Sequence, residues 1–402
     1  MKKFEWMIFG LLILLMFIGI ISIYTASSSR IGDDFLFANY YIKQFIWIII
    51  SMLILLILLK IPNVVVEISI FPIYFFTILL LILVLFLPEI KGSHRWMSLG
   101  PINFQPSELA KLFTILVLSK FISKPFLSDG QILFRSFIIT LIPVILILLE
   151  PDLGTALIFF VILFSILLVS DLPKFYLILI VSPIISIIFS FSYWMFIIYA
   201  LILIYLLYRS NLDKVIIGFV VAINTFIFFI TPIFWNNLKD YQQNRILTFI
   251  NPMRDPFGAG YQIIQSKIAI GSGGIFGKGF LMGTQKNMNF LPEHHTDFIF
   301  SVIGEEFGFF GCLFILLIYF LFLYKIAKSI IKIKQKEYRF VSVGILAYIT
   351  FQIFINIGMN LGIVPTTGIP LPFISYGGSN LLINVMAIGF ILKYLKERSI
   401  FA

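Results

Sequence analysis

Polar positions in this chain are few, and they gather in short clusters between long apolar runs. The runs carry no period-2 alternation and little amphipathic character, as in helices that meet apolar surroundings on every side. Most are long enough to cross a hydrocarbon core of about 30 Å. They predict spans at 7–25, 43–59, 68–87, 107–123, 133–149, 153–170, 174–191, 193–208, 215–233, 298–324, 341–361 and 376–394. The run 107–123 is the least apolar, because it contains Glu108 and Lys111. The stretch 171–233 reads either as three spans or as one span with irregular helices, an added helical hairpin.

Composition narrows the class. Of 402 residues, 60% are hydrophobic and 12% charged, with mean hydropathy +1.06. A water-soluble domain could not cover its core with so little polar surface. A membrane β-barrel would instead show weak alternating segments of about ten residues. The expectation is an all-α polytopic membrane protein in a single integral membrane domain, 1–402. The first run follows Lys2 and Lys3. It is long for a cleaved signal peptide and many spans follow, so it reads as an uncleaved first span. The single cysteine, Cys312, excludes an internal disulfide. A net charge of +10 fits the positive-inside bias and anionic membrane lipids better than nucleic acid, which is not expected as a partner.

Lys and Arg placement sets the topology. With the N-terminus inside, 18 of the 29 basic residues fall in mostly short inner loops, where the positive-inside rule applies. Both termini are then cytoplasmic. The long polar segment 234–297 becomes one large extracytoplasmic loop, of a size that usually carries function. It holds Lys239, Arg245, Arg254, Lys267, Lys278 and Lys286. Cations concentrated on the outer face oppose the general trend and point to an anionic ligand there.

Five clusters are candidates for chemistry. In "KGSHRWMSLGPINFQPSELAKL", Arg95 and Trp96 read either as an interfacial pair or as ligand contacts. Glu108 and Lys111 share a helix face at i,i+3. A charge at membrane depth costs about 2.5–3.5 kcal/mol, so such a pair is structural or lines a cavity. Ser107 reads as a helix N-cap after Pro106. In "EPDLGTA", Glu150 and Asp152 form either an acid/base pair or a tight turn in which Asp152 caps the next helix, the turn being the simpler reading. In 240–280, Arg245, Arg254, Lys267 and Lys278 stand among glycines whose N–H groups could hold phosphate oxygens. There "GSGGIFGKG" serves equally as a hinge or a close-packing loop. In "LPEHHTDFIF", Glu293, His294, His295 and Asp297 crowd the start of a span. Zinc ligation is the weaker reading, since adjacent histidines on a helix diverge. Capping by Thr296 or Asp297 is the plainer one. In "GIVPTTGIPLPFISYGGSN", irregular backbone at membrane depth must be buried in protein or line a cavity.

Those segments, together with "DPFGAGYQIIQSKIAIGSGG", resemble the signature segments of the SEDS family, the peptidoglycan glycosyltransferases of bacterial elongation and division. The resemblance runs from the first span to the last. "DYQQNRI" and "GKGFLMGTQ" are nearer the RodA-type elongation branch. It implies a SEDS-type bundle of about 10–12 transmembrane helices in the bacterial cytoplasmic membrane. The substrates implied are lipid II and undecaprenyl-linked glycan, polymerised at the outer leaflet with release of undecaprenyl diphosphate. The implied partners are a class B penicillin-binding protein and other elongation-complex proteins. The family's essential aspartate falls on Asp297, and its cationic and polar positions on Arg95, Trp96, Glu108, Lys111, Arg245 and Lys267. A divalent cation, Mg or Mn, is compatible with a diphosphate leaving group, and no metal ligand is assigned. Family members usually have ten spans, so the surplus lies in 171–233. An added hairpin preserves parity and leaves Asp297 outside. A lipid II flippase is the alternative function. It would need polar groups lining a path between both faces, whereas the ionisable groups here gather on one side.

Overall fold

The structure is a computed structural model. It describes residues 3–27, 40–89, 94–99, 102–124, 127–173, 175–209, 214–237, 243–244, 247–249, 251–256, 258, 260–284 and 294–397. Arg245, Glu293 and Lys286 lie outside them.

Each predicted span is a helix. In chain order they are α1 (Lys3–Ser27), α2 (Tyr40–Lys60), α3 (Asn63–Val84), α4 (Pro106–Ile122), α5 (Asp129–Leu149), α6 (Leu153–Val169), α7 (Tyr176–Phe189), α8 (Tyr193–Tyr208) and α9 (Lys214–Asn237). After α9 come a 3-10 turn (Pro252–Arg254) and a short helix α10 (Tyr261–Ser272). Then follow α11 (Ile299–Ile330), α12 (Lys336–Leu361) and α13 (Gly378–Glu397). Among the described residues, eight helices are long and apolar enough to cross a membrane, and α6 and α8 are shorter apolar helices. The chain is a multi-pass membrane protein. Exposed apolar side chains such as Phe75, Phe86, Trp194 and Phe226 are what a lipid-facing surface requires.

At the centre, α12 packs between α6 and α4, and α13 packs on α2. Around them, α3 lies on α4, α1 on α11, and α10 on α11 and α12. Residues 171–233 carry three helices with a small core of their own, built from Phe196, Tyr199, Leu203, Leu207, Val220 and Phe228. Asn224 ties α7, α8 and α9 together there. Its amide donates to Ser182 Oγ, and its carbonyl accepts from Ser186 and Tyr199.

Two features depart from the sequence expectation. Residues around Arg95 and Trp96, expected as a plain outer loop, lead into an antiparallel hairpin of β1 (Met97–Leu99) and β2 (Ile102–Phe104). The run from 298 is not one continuous helix either. α11 breaks at Gly308, with φ 65° and ψ −159°, a conformation open to glycine at little cost. An unbroken helix would pair the carbonyls of residues 305 and 306 with the N–H groups of 309 and 310. Here the glycine-rich loop takes all four. Lys278 N donates to Glu305 O (2.9 Å) and Gly279 N to Glu306 O (3.1 Å), while Phe309 N donates to Gly274 O and Phe310 N to Ile275 O. The approach is so close that a Cβ on Gly277 would lie 2.0 Å from Glu306 O. "GSGGIFGKG" is therefore a close-packing loop whose backbone takes up the bonds that the break in α11 frees.

Candidate active site

The carbonyls of the turn before α11 are tied to α12 and to the segment after it. Asp297 O accepts from Asn356 Nδ2 (2.9 Å) and Asn360 Nδ2 (3.0 Å). Thr296 O accepts from Ser375 Oγ (2.6 Å), and His295 O from Tyr376 N (3.0 Å). One turn on, Ser301 donates from N and Oγ to Asn360 Oδ1, and Ser266 Oγ lies 2.5 Å from Ser301 Oγ. These bonds fix the backbone of Asp297, whose side chain is half-buried. Gly368 stands beside that carboxylate, where a Cβ would sit 3.5 Å from Oδ2.

Correction is needed at two caps. α11 has Phe298 at its N-cap and no side-chain cap bond, so neither Thr296 nor Asp297 occupies that position. α4 starts at Pro106 with Gln105 as its N-cap, two residues before the expected cap. Ser107 then falls inside the first turn, with no partner for its hydroxyl. Asp152 does cap α6, accepting from Thr155 N (3.1 Å) and Thr155 Oγ1 (2.9 Å). The histidines serve packing: His294 Nε2 meets Ala26 O (2.9 Å), and His295 stacks on Tyr40 with ring centroids 4.2 Å apart. Among the described residues, no three His, Cys, Asp or Glu side chains are grouped to hold a metal.

The irregular segment 362–370 joins residues far apart in sequence. At its start, Gly362 caps α12 in the left-handed region, and a Cβ there would meet Lys267 Nζ at 2.6 Å. Lys267 is exposed and sits at the negative end of the α12 dipole. At its far end stands Asp297, beside Gly368. Between them, Thr367 packs so tightly on Gly154 that a Cβ on Gly154 would lie 2.9 Å from Thr367 Cβ. That contact brings in the Glu150–Asp152 turn. Arg95 Nε donates to Glu150 O (3.0 Å), a second guanidinium nitrogen donates to Pro151 O, and NH1 lies 3.7 Å from Asp152 Oδ2. Trp96 is half-buried at the head of the hairpin. Asp297, Lys267 and the Arg95-braced turn thus ring one short loop.

Glu108 and Lys111 belong elsewhere. Lys111 Nζ bonds Glu108 Oε1 at 2.8 Å, and only 1% of Lys111 is exposed, so its ammonium is committed inside the bundle. Asn380 donates to Glu108 Oε2 (3.0 Å), Asn384 to Asn380 Oδ1 and Tyr348 to Asn384 Oδ1 (both 2.8 Å). Lys111 lies over the Tyr348 ring, 5.9 Å from its centroid, which closes the circuit. Lys278, a phosphate candidate by sequence, is likewise engaged. Its Nζ bonds Glu305 Oε1 (2.7 Å) and Thr284 Oγ1 (2.8 Å).

Sequence reasoning missed Asn356, Asn360, Ser266 and Ser301. A signal existed: Gln352, Asn356 and Asn360 repeat every fourth residue of an apolar run, a polar stripe down one helix face.

Burial pushes the Glu150 carboxyl up from 4.5 to about 8; the charge of Asp152 adds to this and that of Arg95 opposes it. The folded protein then holds a proton that the unfolded chain has lost, so stability falls as pH rises from about 4.5 to about 8 and levels off above. The melting temperature of detergent-solubilised protein is expected to drop across that window relative to Glu150→Gln. Parallel curves for the two would reject this environment.

The arrangement defines a class: a helical membrane protein with a carboxylate and cations gathered at one end of the bundle. The FtsW/RodA/SpoVE family model, described as cell cycle protein, matches residues 5–199 and 193–400. The peptidoglycan glycosyltransferase MrdB of Escherichia coli (strain K12) is 36% identical over 314 residues, 77% of this chain and 72% of the relative. A probable peptidoglycan glycosyltransferase FtsW of Haemophilus influenzae is 32% identical over 406 residues, 98% of this chain and 91% of the relative. Among solved structures, a chain from work on "structural coordination of polymerization and crosslinking by a peptidoglycan synthase complex" matches with TM-score 0.74 and 28% identity, covering 99% of each chain. The Thermus thermophilus rod shape determining protein RodA matches with TM-score 0.63 and 25% identity, covering 99% of this chain and 98% of that one. The chain belongs to the FtsW/RodA/SpoVE family, the SEDS group of membrane glycosyltransferases.

Proposed function

We propose that this glycosyltransferase polymerises lipid II into glycan strands at the outer leaflet of the bacterial cytoplasmic membrane, with both termini cytoplasmic. The observation that carries the reading is the placement of Lys267 beside Gly362 and of Asp297 beside Gly368, in the one short 362–370 loop. A sugar 4-hydroxyl of one lipid II attacks the anomeric carbon of the lipid-linked growing strand, with inversion. Asp297 takes the hydroxyl proton as the new C–O bond forms. The old bond breaks toward undecaprenyl diphosphate, which leaves well without an acid, so cations at the developing charge matter most. Lys267 fills that role, with Arg245, from the same 234–297 stretch of sequence, as a second candidate. Arg95 acts through the turn it braces, and Trp96 lines its approach. Glu108 and Lys111 act by holding α4 against α12 and α13. Association with a class B penicillin-binding protein would supply crosslinking, and the peptidoglycan synthase neighbour supports that partnership.

Purified protein in detergent, where no bilayer separates two sides, is expected to form glycan polymer from lipid II. Absence of polymer under conditions that keep the protein folded would instead favour lipid II transport.

A further inference from the structure

Helices α4 and α12 run antiparallel in a clean register. A Cβ on Gly344 would lie 2.9 Å from Ile115 Cγ2. Four residues further along α12, the Tyr348 ring faces Lys111, four residues back along α4. One further step of that spacing, four residues along each helix, leads from these two contacts to Gln352 and Ser107. Both are fully buried. Gln352 Oε1 and Nε2 and Ser107 Oγ have no hydrogen-bond partner among the described residues. Native proteins rarely leave such groups unmet, and three polar atoms at one buried level provide the two to four partners an ordered water needs.

The level matters because of what flanks it. Tyr348, Gln352, Asn356 and Asn360 follow one another at four-residue intervals, a stripe about 18 Å long. Tyr348 belongs to the circuit around Glu108 and Lys111. Asn356 and Asn360 hold the carbonyl of Asp297. Among the described residues, Gln352 is the one member of the stripe without a hydrogen-bond partner.

We infer that Ser107 and Gln352 enclose a buried water, and that this water joins the Glu108–Lys111 circuit to the amides that position Asp297. Ser107 and Gln352 are then positioning residues for the transfer, acting through the backbone of Asp297 without touching substrate. The inference rests on Asp297 being the reacting base. Its content is that the membrane-embedded ion pair and the backbone carbonyl of Asp297 belong to one hydrogen-bonded column.

The test is steady-state polymerisation of lipid II by Gln352→Met, Ser107→Ala, Ser107→Thr and the Gln352→Met/Ser107→Ala double variant, with Asp297→Asn alongside and melting temperatures for all. Each of the two polar-to-apolar changes is expected to lower kcat about tenfold with KM within about twofold. Ser107→Thr, which keeps the hydroxyl, stays within about threefold of wild type. The double variant falls no more than about twofold below the lower single, because both changes disable the same water. Two singles with unchanged kcat, or a double whose losses multiply to about a hundredfold, overturn the inference when Asp297→Asn is inactive. An active Asp297→Asn overturns the underlying reading instead. Should Gln352→Met fail to fold, an experimental wild-type structure decides the matter. Water within about 3 Å of both Gln352 and Ser107 supports the site, and a dry direct contact between them rejects it.

Discussion

Asp297→Asn is expected to lose glycan polymerisation by about 10²- to 10⁴-fold while folding normally. The substitution keeps the shape of the side chain. It also leaves untouched the carbonyl bonds from Asn356 and Asn360 that hold this residue. What disappears is the group that takes the proton. Asp297→Glu tests geometry separately. Its extra methylene must find room beside Gly368, where a Cβ would already lie 3.5 Å from the native carboxylate. Low activity of Glu with near-normal substrate binding would show that position matters as much as charge. Full activity of the Asn variant in a purified polymerisation assay would remove Asp297 from the chemistry.

The second large effect is on stability. Lys111→Met leaves Glu108, 3% exposed, with the Asn380 amide but without its counter-charge. Removing one partner of a buried pair costs about 3–5 kcal/mol, far more than an exposed pair contributes. The melting temperature should fall sharply. The Glu108→Gln/Lys111→Met double variant should recover much of the loss, because the uncompensated charge is gone while Asn380 retains an acceptor. A single variant as stable as wild type would mean that water reaches this pair and that the circuit through Tyr348, Asn384 and Asn380 is not closed.

The helices were legible because lipid imposes one demand on every span. Each must satisfy its own backbone, so a run of apolar residues such as 7–25 or 43–59 has few alternatives to a helix. The capping role of Asp152 was legible for a similar reason, since a carboxylate three residues before Thr155 meets local geometry only. What escaped was non-local. The break at Gly308 depends on a partner about thirty residues earlier, the 274–279 loop, whose backbone takes over the helix's lost bonds. Nothing within 298–324 singles out Gly308 from Gly304 and Gly311. The hairpin at 97–104 is too short for period-2 alternation to stand out. The Glu108–Lys111 pair was legible from its i,i+3 spacing, whereas Lys278 read as a cation available to a phosphate because sequence cannot reveal that Glu305, 27 residues on, already holds it. The site residues came from family segments, and the placing of Asp297, Lys267 and the Arg95-braced turn around 362–370 came only with the fold. Lys267 and Asp297 lie thirty residues apart, and the loop that joins them lies another seventy beyond.

The most direct measurement is an experimental structure of the full chain with lipid-linked disaccharide bound. The account predicts a sugar hydroxyl within about 2.6–3.2 Å of the Asp297 carboxylate, with diphosphate oxygens at Lys267. A substrate whose sugar sits away from Asp297, with its diphosphate on Lys111 in an opened Glu108–Lys111 pair, would contradict it.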